Sequence, residues 1–588
     1  MIKSLPALWF FLFFAVTANA QFYFRGEIKD AAGVALPFVR IHILSSNNFY
    51  YSGSSGGFGI PSSVKNDTAE LSLNGYETKR VLLSADLMNE LILKPSGHNN
   101  IPQKKKLLSL TKDKTQEQNN YQIANGETYS VQIENQFNLT EKFPVTGFSL
   151  NVDKASYSNI RRFINMNSEA PPDAVRIEEM LNYFPQPELT VEDGKTFAQQ
   201  SRITDCPWNS NNKLFFVQLQ SKKLNYDSAP PANIVLLIDV SGSMDMPNRL
   251  DLLKSGFRMM VKNLRAIDTL AIVTYGGRIT IALHPTAGNE QAKILGIIDS
   301  LQAGGETPGG SALRTAYNLL QSRVLYGGNN RIILATDGDF NVGEVTEEAL
   351  MQLVSEKQQS GIYLTCLGVG MGNYKDSKLE ALAKKGNGNF AYIDNIAEAE
   401  KVLVTESLQT FYVSASDVFL NMWFDPKYVK GYRLIGYDNR KDMLNDSINS
   451  FEGGEMGSGH TVTAVFEIVP AADLTSLNAP LAEGELSYTV QSSTTKTQEL
   501  IPFYTSYYPF ATLENNYQFS AAVTWLGLLM RQSEYINLKS WNELVALLTY
   551  FTNEQDYLRN EFIQLVLKAK EIYMPEKKKK WRRAKAKE

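Results

Sequence analysis

Between residues 232 and 410 short apolar runs alternate with segments of helical period: NIVLLIDV, RLDLLKSGFRMMVKNL, TLAIVTYGG, RITIALH, NEQAKILGIIDSL, SALRTAYNLLQSRV, RIILATDG, TEEALMQLVSEKQQSG, IYLTCLGVG, KLEALAKKG and FAYIDN. A strand that is apolar at every position must be covered on both faces, and helices with a single apolar stripe are the elements that cover it. The pattern therefore predicts, over 231–410, a mostly parallel sheet with helices on both faces.

Sheets of this Rossmann-like kind bind ligands beyond the carboxyl ends of their strands, where successive loops gather. One run ends in IDVSGSM, which places Asp239, Ser241 and Ser243 at alternate positions, so that an extended or gently curved backbone sends all three side chains to one side. A second run ends in ATDGDFN at Asp337, and the loop QAGGETPGGSAL, with Thr307 among its glycines, lies between the two. Carboxylates and hydroxyls are hard oxygen donors, suited to Mg²⁺, with Mn²⁺ or Ca²⁺ as alternatives, and poorly suited to zinc. The histidines His42, His98, His284 and His460 are scattered.

This constellation resembles the metal-ion-dependent adhesion site of von Willebrand factor A (VWA) domains, whose pattern is D-x-S-x-S, a loop threonine, then an aspartate after a later strand. The resemblance implies a metal held by Asp239, Ser241, Ser243, Thr307 and Asp337, with Thr307, Asp239 and Asp337 alternating between direct and water-mediated contact. It also implies a carboxylate of a partner protein as the last ligand. Glu306 is expected to be a surface charge, and Asp339 either a surface charge or a support for the ligands.

At 588 residues the chain exceeds one hydrophobic core, and several folded units are expected. Residues 1–20 carry Lys3, an apolar run from Leu5 to Val16 and the small-residue site Ala18-Asn19-Ala20, the pattern of a cleaved signal peptide, and no cysteine follows to accept a lipid. Residues 21–95 show short alternating runs with glycine turns, which predict a small β-sandwich. GVALPFVRIHI, GGFGI and LNGYET in that stretch resemble the carboxypeptidase regulatory-like domain, which brings no peptidase chemistry; Ser54 and Ser55 stand where that family has an aspartate before its glycine turn. Residues 96–134 are polar and aperiodic, as in a flexible linker.

An accessory region is expected over 135–230, where Val175, Ile177, Met180, Leu181 and Phe184 suit one helix face and KLFFVQLQ a strand. A strand-then-helix region is expected over 411–575, followed by a basic tail, 576–588, that is either a solvated end or a contact for an anionic surface. FSLNVDKASYSNIRRFIN, DAVRIEEMLNYF, PWN and ILATDGDFNVG, with the helical end, resemble the bacterial YfbK-type VWA proteins from about residue 135 to 570.

The fold class is thus multidomain, α/β plus β. A net charge of −4 gives no overall attraction to nucleic acid, and no segment of the mature chain reaches the roughly 20 apolar residues of a membrane span. Cys366 lies in an apolar run and reads as a buried small hydrophobe, while Cys206, in TDCPWN, is left open. No histidine stands near Ser241 or Ser243, so a hydrolytic triad is not expected. The combined reading is an exported factor, periplasmic, cell-surface or secreted, that binds an exposed Asp or Glu of a protein partner through a divalent metal. The alternative is an envelope scaffold whose binding needs no metal, and an enzyme is not expected.

Overall fold

In a computed structural model the chain forms two compact units, Met1–Leu108 and Ser109–Glu588. The structure describes residues 22–94 and 127–574, apart from 32, 37–38, 47, 54–55, 63, 74–75, 128, 247, 306–308, 339–346, 371–375, 438–453, 475–479, 491–494, 505 and 552–555. The expected signal peptide, the basic tail and all of the expected linker up to residue 126 lie outside the described residues. No helix among the described residues is long and apolar enough to cross a membrane.

The first unit holds a three-stranded and a four-stranded sheet whose inward side chains, among them Phe24, Ile28, Ile41, Leu71 and Leu93, form one core. Strands such as Met88–Leu93 alternate exposed and buried residues, as the predicted sandwich requires.

In the second unit the central sheet comprises β1 (Ala232–Asp239), β2 (Thr269–Gly276), β3 (Arg278–Ala287), β4 (Asn329–Thr336), β5 (Ile362–Val369) and β6 (Phe390–Ile393), in the order β3-β2-β1-β4-β5-β6. Every pairing is parallel except that of β3 with β2. The helices around it are α1 (Leu250–Lys262), α2 (Gln291–Ser300), α3 (Gly309–Gln321), α4 (Glu347–Gln359) and α5 (Asp376–Lys385). Alternate strand residues serve two cores. Ile234, Leu236 and Ile238 pack with Leu253 and Phe257 of α1, whereas Val235 and Leu237 pack with Leu313 and Leu320 of α3. The buried Cys366 belongs to the second of these cores, and Cys206 is buried elsewhere; both thiols are free.

The segments before and after this sheet are not separate bodies. Lys213–Ser221 pairs with Thr461–Pro470, and Val145–Ser149 pairs with Val413–Phe424, so two five-stranded sheets drawn from both sides share a core around Phe215, Phe424 and Phe466. The helices Ala155–Asn165 and Ile177–Tyr183 pack likewise with Asn515–Met530 and Tyr557–Tyr573. Of the residues expected on one helix face, Ile177, Met180 and Leu181 lie in the helix Ile177–Tyr183 while Val175 and Phe184 flank it, and all five are buried. The expected linker boundary at 134 is corrected. Glu127 and Tyr129 are already buried, and Glu127 takes two hydrogen bonds from the Arg162 guanidinium, 2.7 and 2.8 Å, so the folded unit begins earlier.

Arginines pin these segments to the central domain. Arg161 donates to Asp394 (2.8 Å), Glu398 (2.8 Å) and Glu561 (2.9 Å), and Arg176 pairs with Glu179 and, at 2.6 Å, with Asp376 of α5.

Candidate metal centre

The order of the central sheet fixes where loops diverge. Connections from β1 and β4 leave in opposite directions, so the carboxyl ends of these neighbouring strands form the crevice of the switch point. Asp239 closes β1 and Asp337 follows β4, in parallel register, with Ile238 opposite Ala335. An aspartate at the end of each apolar run is thereby delivered to one edge.

Asp239 is fully buried. Its Oδ1 accepts the Ser241 backbone N–H at 2.9 Å and its Oδ2 accepts the Thr336 hydroxyl at 2.9 Å. Burial pushes its carboxyl up to about 6, against the lowering effect of those donors, and the neighbouring Asp337 charge adds to the rise. Ser241 is extended at φ −62°, ψ 166°, and the backbone then turns into a short 3₁₀ helix, Gly242–Asp245. The expectation of an extended D-x-S-x-S segment is corrected accordingly. A tight turn, rather than strand alternation, brings the Ser243 hydroxyl to 3.0 Å from that of Ser241. Ser241 is buried and Ser243 is exposed, so the group opens to solvent on the Ser243 side.

The third loop is tied to the first. Gly242 N–H donates to Gly305 O (3.0 Å), and Gly304 N–H donates to Val240 O (2.7 Å). Gly305 has φ +88°, and a Cβ there would lie 2.6 Å from Gly277 N, so only glycine fits this crossing. Thr307, two residues on, lies outside the described residues, as do Glu306 and Asp339.

Asp337 is buried and its Oδ2 accepts from Nη1 of Arg249, which also donates to Ser243 O at 2.7 Å. Arg249 and Thr336 are contacts that the reading of single motifs missed. Both left a trace in the sequence. Thr336 is a hydroxyl at the polar end of an apolar run, and Arg249 is a cation at the N-terminal end of an amphipathic helix, where the helix dipole disfavours it unless an acid stands close.

The donor chemistry fits a hard divalent ion. Four oxygen-bearing side chains come from two strand ends, and Gly304 and Gly305 are bonded to the backbone of the Asp239–Ser243 segment. Among the described residues no group of three or more His, Cys, Asp or Glu could hold a metal ion, so a cation at this edge depends on the hydroxyls.

The chain is 37% identical over 452 residues to the protein YfbK of Escherichia coli (strain K12), a match that spans 72% of this chain and 77% of that one. The chain belongs to the YfbK-type VWA family. Family models agree along its length: von Willebrand factor over 123–216, von Willebrand factor type A domain over 234–339, and the C-terminal domain of YfbK over 409–572. The second contains both strand ends that carry Asp239 and Asp337. Inter-alpha-trypsin inhibitor heavy chain H4 of Homo sapiens is 29% identical over 166 residues, 27% of this YfbK-type chain and 18% of its own. Among solved structures, a von Willebrand factor type A protein from Catenulispora acidiphila is similar over 64% of this chain and 88% of its own, at 14% identity and a TM-score of 0.37.

Proposed function

We propose that this YfbK-type protein is an exported, divalent-metal-dependent binding factor that takes hold of an exposed Asp or Glu of a protein partner. The observation that carries the reading is the convergence at the β1/β4 crevice of a fully buried carboxylate, two hydroxyls 3.0 Å apart and a second carboxylate. Asp239, Ser241, Ser243, Thr307 and Asp337 would hold the ion, Mg²⁺ first and Mn²⁺ or Ca²⁺ as alternatives. Bound there, the ion supplies a positive position that a carboxylate oxygen can occupy.

The protein's own groups do the rest. Thr336 and the Ser241 amide fix both oxygens of Asp239, and backbone bonds tie Gly304 and Gly305 to Val240 and Gly242. The solvent-facing Ser243 marks the side from which a partner approaches. Export follows from the signal-peptide pattern, and a basic tail at an anionic surface would keep the factor in the envelope. Among the described residues no histidine stands beside Ser241 or Ser243, and binding rather than turnover is the proposed activity.

A scaffold reading has one observation in its favour, since the Arg249 guanidinium already neutralises Asp337 and leaves part of the group satisfied within the fold. Capture of envelope proteins on immobilised wild-type chain separates the two. Retention in Mg²⁺ that is lost with EDTA and in Asp239→Ala supports metal-dependent binding. Retention that survives both supports the scaffold.

A further inference from the structure

Arg249 sits in a seat built from three parts of the chain. As the residue that opens α1, it places a cation at the helix end where the backbone dipole is positive. Its Nη1 spans Asp337 Oδ2 and the Ser243 carbonyl, and the side chain is 9% exposed. Gly370, just past β5 at φ +77°, is the third part: a Cβ there would collide with the Arg249 side chain. The Tyr392 hydroxyl, bonded to Gly370 O, holds that backbone in place. A cation is thus fixed against two of the segments that would surround a metal.

We propose that Arg249 is an affinity-setting residue that competes with a divalent ion for the Asp337 carboxylate. This rests on the metal-binding reading above. A carboxylate oxygen engaged by a guanidinium is a poorer ligand, and an ion brought beside Asp337 meets a like charge at short range. For the ion to engage Asp337 directly, the guanidinium must yield Oδ2, keeping at most its bond to Ser243 O. The site then responds to the ambient divalent-ion concentration instead of being saturated at trace levels. A partner carboxylate that favours the ion-held arrangement gains from the same step, because linked equilibria act reciprocally.

The test is calorimetric titration of full-length wild type, Arg249→Gln and Arg249→Lys with MgCl₂, alongside thermal melts with and without Mg²⁺. Competition predicts Mg²⁺ binding about tenfold tighter in Arg249→Gln, the scale of one charge-assisted hydrogen bond, with Arg249→Lys in between. It also predicts that Arg249→Gln melts lower without Mg²⁺, because Asp337 loses its counter-charge, and that Mg²⁺ restores most of the loss. A purely structural arginine predicts a lower melt that Mg²⁺ does not restore. If wild type binds Mg²⁺ and both variants bind it equally or more weakly, competition is overturned while the metal reading stands. If none of the three binds Mg²⁺, the metal reading falls and competition falls with it.

Discussion

The arginine seam and the β1/β4 crevice both gather buried or half-buried carboxylates, yet they handle them differently. In the seam, Asp394, Glu398 and Glu561 meet one guanidinium, that of Arg161, brought from a helix more than 200 residues away in sequence from the first of them. Those charges join distant segments. In the crevice, both oxygens of Asp239 are held by neutral donors, and Asp337 shares a single guanidinium with a carbonyl. A buried carboxylate with only neutral partners is a cost to the fold, and at the loop-gathering edge of a sheet the proposed binding role would account for it.

That contrast can be broken by substitution, beginning with the seam. Arg161→Ala leaves three acidic groups around an empty centre, and loss of one partner from a buried network costs about 3–5 kcal/mol. Urea denaturation should show the loss, and a change below about 1 kcal/mol would mean that the arginine does not staple the regions together.

A pH-dependent effect is expected at Glu455, a buried acid that has no cation bonded to it among the described residues. Its Oε1 accepts from Asn387 at 2.7 Å, and its Oε2 has no hydrogen-bond partner among the described residues. Burial pushes this carboxyl up to about 8, with Asp417 adding to the rise and Arg331 opposing it. Because the folded value lies above the unfolded one, the favourable contribution is complete below about pH 4.5 and is lost as pH rises through about 8. Glu455→Gln should therefore be more stable than wild type at pH 9 and no different at pH 4. Parallel pH dependences of the two melting temperatures would contradict the assignment.

The smallest change in stability belongs to the crevice. Asp239→Asn keeps an acceptor for Ser241 N–H and removes a buried charge, so the melting temperature should hold or rise, with a stability change within about 1 kcal/mol. A large loss would place Asp239 among the staples.

How far the chain could be read beforehand divides along the same line. The central sheet was legible because its strands, buried on both faces, are apolar throughout, and Asp239 and Asp337 stand out where such runs end. Other features depend on contacts between distant segments. The pairing of Lys213–Ser221 with Thr461–Pro470 has no signature in either strand, so the accessory and C-terminal regions read as separate when they share cores. Glu127 lies in a polar stretch that resembles a linker, and contacts with Arg162 and Tyr129 make it part of the fold. The turn that returns the Ser243 hydroxyl to Ser241 is not carried by the alternation of residues in this segment.

The account turns on whether the crevice holds a divalent ion through Asp239, and Mn²⁺ binding counted by electron paramagnetic resonance addresses that directly. The full chain should bind one Mn²⁺ that Mg²⁺ displaces, and Asp239→Asn, folded to the same melting temperature or higher, should lose it. Equal Mn²⁺ binding by both proteins, or none by the wild type, would contradict the account.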